Sequence, residues 1–196
     1  MEKNNLIEKI KIAFEREKYP GDNNIVYNNS KDHFECNDLK NQFIGKKWNE
    51  ITNDLLFENK DALPFFSKEG FKYYLPSFMI FILNDYYESD TLSDNLISLL
   101  TLPQEIDLVV MAKDINKFEL DKKVPEFDFE SFLYQQLETV DERVKSFITQ
   151  VKLLNNEQSK LVLQFLEYVQ TNFSNEYINN PIKPKTAINR YWFQFE

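Results

Sequence analysis

The chain has one histidine and one cysteine, and they stand three residues apart, as His33 and Cys36. This H-x-x-C spacing places both side chains on one turn of a helix, an arrangement that suits two ligands of one metal ion. Asp22, Asp32 and Glu35 lie close in the sequence and could complete such a site. However, a structural zinc site usually has four cysteine or histidine ligands and a catalytic site three protein ligands, and the chain has no second histidine or cysteine. We therefore predict no metal site, and we expect a half-exposed histidine beside a cysteine buried as a small apolar residue.

The same two residues contain the groups of a cysteine–histidine nucleophile, in which the imidazole takes the thiol proton and a third group orients the ring. In most such sites the two side chains come from distant segments, so neighbours on one helical turn are weak evidence for catalysis. A single cysteine also excludes an internal disulfide, which fits a reducing compartment.

Carboxylates are abundant and indicate a second kind of chemistry. The densest acidic groups are Asp85, Glu88 and Asp90, and then Glu126, Asp128 and Glu130. Paired carboxylates act as general acid and base in hydrolases, and oxygen ligands hold divalent ions. The loop from Asp22 to Glu35 is where such a site would be expected. With 32 acidic residues in the chain some must be neighbours by chance, so solvated faces are the favoured interpretation.

The loop after the first helix has the sharpest local pattern. Pro20 and Gly21 predict a turn, and Asp22 and Asn23 follow with side chains that can hydrogen-bond their own backbone. Such a loop is rigid, and rigid surface loops often carry binding residues. The favoured interpretation is a structural turn that orients the first helix, and a binding loop is the alternative.

Helices must position these residues, because apolar residues recur at spacings of three and four while strand-like alternation is scarce. The segment 76–87 is apolar on almost all sides, so we predict that it is a buried central helix, opened by Pro76. The sequence predicts an all-α fold, namely a single compact multi-helix domain over 1–196 with a possible subdomain junction near 103–127.

Local patterns refine this prediction. Leu108 to Met111 suits a strand or a helix, and we favour a helix. Phe129, Phe132, Leu133 and Leu137 form the apolar face of an amphipathic helix. Asn155 and Gln158 match a capping box at the start of another. The closing YWFQF is too apolar to stay in solvent, so the C-terminal segment is predicted to dock on the core.

Composition excludes several classes of function. The chain has only three glycines, so it has no Gly-rich loop that could bind the phosphates of a nucleotide. We expect no cofactor of any kind. The 23 basic and 32 acidic residues give a net charge of −9, which repels nucleic acid and anionic membranes and favours a basic protein partner. The start, MEKNNLIEKIKIAF, has no apolar run typical of a signal peptide. We therefore expect a cytoplasmic protein that binds neither nucleic acid nor membrane.

Six stretches are distinctive: YPGDNNIVY (19–27), HFEC (33–36), GKKWNEI (45–51), LPFFSKEGFKYYLPSFMIF (63–81), LNNEQSKLVLQFLEYV (154–169) and INRYW (188–192). They resemble an uncharacterised bacterial family that is catalogued only as a domain of unknown function. The region from about 90 to 145 has no such match. The resemblance implies a small cytosolic bacterial protein, and it brings no catalytic residues with it.

The sequence gives only weak evidence for a catalytic site, so the expected function is binding. We predict a non-enzymatic, acidic protein that binds another, basic protein, for example an immunity-type neutraliser of a bacterial toxin domain. A carboxylate-based hydrolase, with or without a divalent metal, is the alternative. The candidate partner-binding residues are the acidic and polar residues of the two segments above, Asp22, Asn23, Glu35, Asp85, Glu88 and Asp90.

Overall fold

The computed structural model describes residues 2–174 and 183–196. In these ranges the chain forms eleven α-helices and no strand, and Val26 and Phe66 form an isolated antiparallel β-bridge. The predicted all-α fold is confirmed. No helix within the described ranges is long and apolar enough to cross a bilayer. The helices α1 to α11 are Lys3–Phe14, Phe34–Phe43, Asn53–Glu58, Lys68–Asn84, Thr91–Leu99, Ile106–Lys117, Leu120–Lys123, Phe129–Glu138, Val140–Val151, Asn156–Phe173 and Pro184–Arg190.

The chain divides into two compact units. The first contains Met1–Thr101 and Thr149–Glu196, and the second is Leu102–Ile148. The single domain over 1–196, with its possible junction near 103–127, stays a prediction.

Helix α4 is the centre of the first unit. It packs against α1, α3, α5 and α10, and nearly every residue from Gly70 to Leu83 is buried. The central helix predicted over 76–87 is thus confirmed, but it begins at Lys68, where the Ser67 side chain accepts a hydrogen bond from the Gly70 amide. The prediction that Pro76 opens this helix is wrong, because Pro76 lies inside it. Packing on several sides outweighs the hydrogen bond that proline cannot donate.

The loop after α1 lies directly on the start of α4. The Ser67 amide donates to the Ile25 carbonyl at 2.9 Å, and the Tyr27 amide donates to the Phe65 carbonyl at 3.1 Å. A Cβ atom added to Gly70 would be 2.1 Å from the Ile25 carbonyl oxygen. Glycine is therefore required at position 70, since the loop backbone occupies the space of a side chain.

Helix α10 and the C-terminal segment close the first unit. The capping box of Asn155 and Gln158 is confirmed, since each side chain accepts from the backbone amide of the other residue. The Gln158 amide group also donates to the Ala13 carbonyl at 3.2 Å, which joins α10 to the end of α1. Trp192 is fully buried and its indole N–H donates to the Leu100 carbonyl at 2.6 Å. The C-terminal segment docks as predicted.

The second unit consists of α6, α7, α8 and most of α9. Its ambiguous segment, Leu108 to Met111, lies in α6, so the helix prediction is confirmed. No residue of α8 is buried, although its apolar face was predicted from the sequence. Half of the exposed large apolar side chains in the described part of the chain belong to this short unit: Ile106, Val109, Phe118, Val124, Phe127, Tyr134 and Leu137.

Candidate functional site

The predicted binding residues of the first loop are at the surface and hold the loop together. Asp22, Asn23 and Glu35 are all exposed. The Tyr19 hydroxyl donates to Asp22 Oδ1 at 2.7 Å, and Lys40 Nζ donates to Asn23 Oδ1 at 3.0 Å. Among the residues that the structure describes, both side chains therefore have structural contacts, but with the Tyr19 and Lys40 side chains and not, as the sequence predicted, with the loop's own backbone. Their role in binding stays a prediction.

The second predicted group, Asp85, Glu88 and Asp90, is also exposed. Asp90 forms an ion pair with Lys60, and the hydrogen bond from the Lys60 ammonium group holds the pKa of the Asp90 carboxyl below its usual value. Asn53 donates to Asp85 Oδ2 at 3.5 Å. The ion pair joins the segment after α3 to the start of α5, so Asp90 has a structural role whether or not it binds a partner.

His33 and Cys36 do come together, as their spacing predicts, and Tyr27 joins them. The Tyr27 hydroxyl oxygen is 2.7 Å from His33 Nε2. His33 is the N-cap of α2, since its Nδ1 accepts the Cys36 backbone N–H at 3.4 Å. Cys36 Sγ is 3.9 Å from His33 Nε2. Both ring nitrogens are therefore engaged in contacts that stabilise the start of α2.

The state of Cys36 disfavours nucleophilic chemistry. Its side chain is fully buried, and this burial raises the pKa of the thiol. A reactive cysteine needs the opposite, namely an accessible thiol with a lowered pKa. Among the described residues, no group of three or more His, Cys, Asp or Glu side chains is placed to hold a metal ion. The structure therefore gives Cys36 the packing role expected from the sequence.

We expect the Cys36 thiol to react with a thiol reagent about a hundredfold more slowly than an exposed cysteine, because reaction requires local opening. Reaction rates of the native chain with an aromatic disulfide reagent test this. The control is Ser30→Cys in a Cys36→Ala background, since Ser30 is exposed. Equal rates for the two thiols would contradict the packing role and revive the nucleophile hypothesis.

The largest cavity among those described in the first unit is a groove of about 540 Å³ lined by α1, α4 and the segment 48–56. Several of its polar groups have partners inside the protein. Ser77 donates to the Trp48 carbonyl, the Trp48 indole donates to the Phe14 carbonyl, and Lys11 pairs with Glu8. Glu15 and Asn49 also line the groove, so its lining is more polar than that of an apolar docking surface.

The second unit contains a more apolar groove between α6 and α8, of about 440 Å³. We call it the α6/α8 groove. The two helices contribute residues at the same spacing, a glutamate followed by apolar residues three, four and seven positions later. The lining residues are Glu105, Leu108, Val109 and Ala112 from α6 and its N-cap, and Glu130, Leu133, Tyr134 and Leu137 from α8.

The α6/α8 groove is open to solvent, and two glutamates are among its lining residues. Val109, Tyr134 and Leu137 are 48%, 61% and 45% exposed, although they line the groove. Glu105 and Glu130 are exposed as well. The whole unit has eleven acidic and six basic residues. An apolar surface that stays exposed between charged residues is typical of a protein interaction site.

The groove is not predicted from the sequence. The sequence pattern places Glu130 on a solvated acidic face, and Leu133 and Leu137 on the apolar face of an amphipathic helix. The repeated Glu-x-x-apolar-apolar-x-x-apolar pattern was visible in both segments. What the pattern lacked was any sign that the apolar face of α8 would remain uncovered, because periodicity identifies a face and not its neighbour.

Comparison with known proteins adds a family and no activity. The model of a family described as "Family of unknown function (DUF6714)" matches residues 2–120. No curated protein and no solved structure matches the chain. The matched range covers more than half of the sequence. It extends into the region from about 90 for which the sequence showed no resemblance, and it ends before the stretches 154–169 and 188–192. The chain belongs to this family of unknown function, DUF6714.

Proposed function

We propose that this protein is a non-enzymatic binding protein that holds another protein in the α6/α8 groove. The observation that carries the proposal is the exposed apolar lining of the groove, namely Val109, Tyr134 and Leu137, beside which two exposed glutamates also line it. Exposed apolar surface is unfavourable in water unless a partner covers it. A bound protein would remove these side chains from solvent, and tyrosine is a typical anchor residue of protein interfaces.

The chemistry of the groove favours a protein over a small molecule. Its lining consists of aliphatic and tyrosine side chains and of two charged residues, both glutamates. It therefore lacks the converging polar groups that orient a small substrate. The negative charge of the unit opposes nucleic acid, whose phosphates would be repelled.

Photo-crosslinking in cells of the native host tests the proposal. A benzophenone amino acid replaces Tyr134, which lies in the groove, or Tyr87, which is in the first unit and is 72% exposed. We expect irradiation to give a discrete protein adduct from position 134 and much less of it from position 87. The matched positions separate binding in the groove from the general stickiness of an exposed aromatic residue.

Two results would count against the proposal: no protein adduct from position 134, or equal adducts from both positions. Purification of the crosslinked product identifies the partner chain and the segment of it that touches Tyr134.

The finer expectations from the sequence are part of this proposal. A cytoplasmic, bacterial neutraliser of a basic toxin domain is a special case, and co-expression with a toxin encoded next to this chain tests it through protection of the host. The hydrolase alternative receives no support from the described residues, where Asp22 bonds to Tyr19 and Asp90 pairs with Lys60. We therefore propose binding alone.

A further inference from the structure

We infer that the partner enters the α6/α8 groove as a basic amphipathic helix. Its apolar face would lie on the groove floor, and its lysine or arginine side chains would lie beside Glu105 and Glu130. This inference rests on the proposed function and adds the chemical class of the partner.

The spacing of the residues that line the groove favours a helix as the bound segment. Each wall presents its apolar residues at the three-four-seven spacing of a helix face, as Leu108, Val109 and Ala112 do on α6. Two such walls leave a furrow between their side chains, and a third helix packs into furrows of this kind at interaxial distances of about 8–10 Å. Binding of an amphipathic helix in a groove through residues of one face is a recurring mode of recognition.

The absence of buried residues in α8 supports the same occupant. Among its side chains, Leu133 is partly exposed and Tyr134 and Leu137 are largely exposed, although the helix is amphipathic. An amphipathic helix is normally stabilised by packing of its apolar face. A helix bound in the groove would supply the packing that α8 lacks, so binding should also stabilise the second unit.

The charge of the groove selects a basic helix. One glutamate comes from each side, Glu105 at the start of α6 and Glu130 in the first turn of α8. The unit has five more acidic than basic residues, so a cationic segment approaches faster and an acidic one is repelled. A second copy of this chain is a poor occupant for the same reason, because each copy has a net charge of −9.

The test is the affinity of the full chain for three fluorescent peptides of about 18 residues, roughly five helical turns. The first is a lysine–leucine peptide with its leucines on one helix face. The second has glutamate in place of lysine, and the third has the composition of the first in a scrambled order. We expect fluorescence anisotropy to give about tenfold or more tighter binding of the first peptide than of the other two.

Charge reversal locates the binding in the groove. We expect Glu105→Lys with Glu130→Lys to weaken binding of the basic peptide about tenfold or more. The matched control is Asp121→Lys with Glu126→Lys, which changes the net charge equally at exposed positions that do not line the groove. Circular dichroism at 222 nm verifies that both double variants keep their helices. Should either lose them, Glu105→Gln with Glu130→Gln is compared with Asp121→Asn with Glu126→Gln in the same way.

Several outcomes would overturn the inference. They are equal affinity for the basic and acidic peptides, equal weakening by the two charge reversals, binding to neutral lipid vesicles in place of peptides, and a concentration-dependent dimer in light scattering. A discrete crosslink at Tyr134 to a partner segment that is not a basic helix would overturn this inference and leave the proposed function standing. No adduct at Tyr134 would remove both.

Discussion

The Gly70→Ala variant is expected to lose about 3 kcal/mol or more of its free energy of unfolding. Residue 70 lies in the first turn of α4, so helix propensity alone predicts that alanine stabilises the protein by about 1 kcal/mol. The added Cβ atom, however, would be 2.1 Å from the Ile25 carbonyl oxygen and 2.9 Å from its carbon. Both are backbone atoms, so the whole loop must move and lose its hydrogen bonds to Ser67 and Phe65.

Urea unfolding followed by tryptophan fluorescence measures this effect, because Trp48 and Trp192 both belong to the first unit. Gly45→Ala is the matched control. Gly45 has φ of +71°, and an added Cβ atom would have nothing within 4 Å. The Gly45→Ala substitution should therefore lower the free energy of unfolding only through backbone strain, by about 1–2 kcal/mol. A Gly70→Ala protein as stable as the original would show that the loop does not lie on α4 as described.

The central helix shows how much of the fold could be predicted from the sequence. Its position followed from the apolar run after Pro76, because a helix that is apolar on most sides has only one stable environment. Its start could not be predicted, since the rule that proline opens helices is local. The packing of α4 against four other helices is a property of the whole unit. Local rules located the helix, and tertiary contacts determined its length.

The candidate site was predicted less well than the fold. The acidic residues stood out in the sequence because charge is easy to see, but the partner of Asp90 is Lys60, thirty positions away. Whether a carboxylate is engaged inside the protein depends on such distant contacts. The groove residues could not be recognised from the sequence for a different reason. Val109, Tyr134 and Leu137 have the pattern of core residues, and only the folded unit shows that nothing within the described chain buries them.

The two kinds of apolar residue have different roles in the proposed mechanism. In the first unit, side chains such as Tyr74 and Phe78 are fully buried and supply stability. In the second unit, Val109 and Tyr134 remain accessible and supply a surface for a partner. Substitutions of the first kind should lower stability and abolish binding only through unfolding, whereas substitutions in the groove should weaken binding in a folded protein.

Trp192→Ala is expected to cost about 3–5 kcal/mol of unfolding free energy, because it leaves a large cavity in the core. Trp192 is fully buried, and its indole N–H is the hydrogen-bond donor to the Leu100 carbonyl at 2.6 Å. Trp192→Phe keeps most of the apolar volume and removes the donor, so it should cost less, about 1–3 kcal/mol. The series therefore separates packing from hydrogen bonding.

The neighbouring residue provides the control for this series. Phe193 is 53% exposed, so Phe193→Ala should change the unfolding free energy by about 0.5 kcal/mol or less. Urea unfolding followed by circular dichroism at 222 nm suits all three variants, because it does not depend on the tryptophan that is replaced. If Trp192→Ala were no more destabilising than Phe193→Ala, the C-terminal segment would not be docked. The predicted role of the closing YWFQF would then be wrong. A large difference between the two would mean that residues after α11 are part of the core of the first unit, joined through Leu100 to the end of α5.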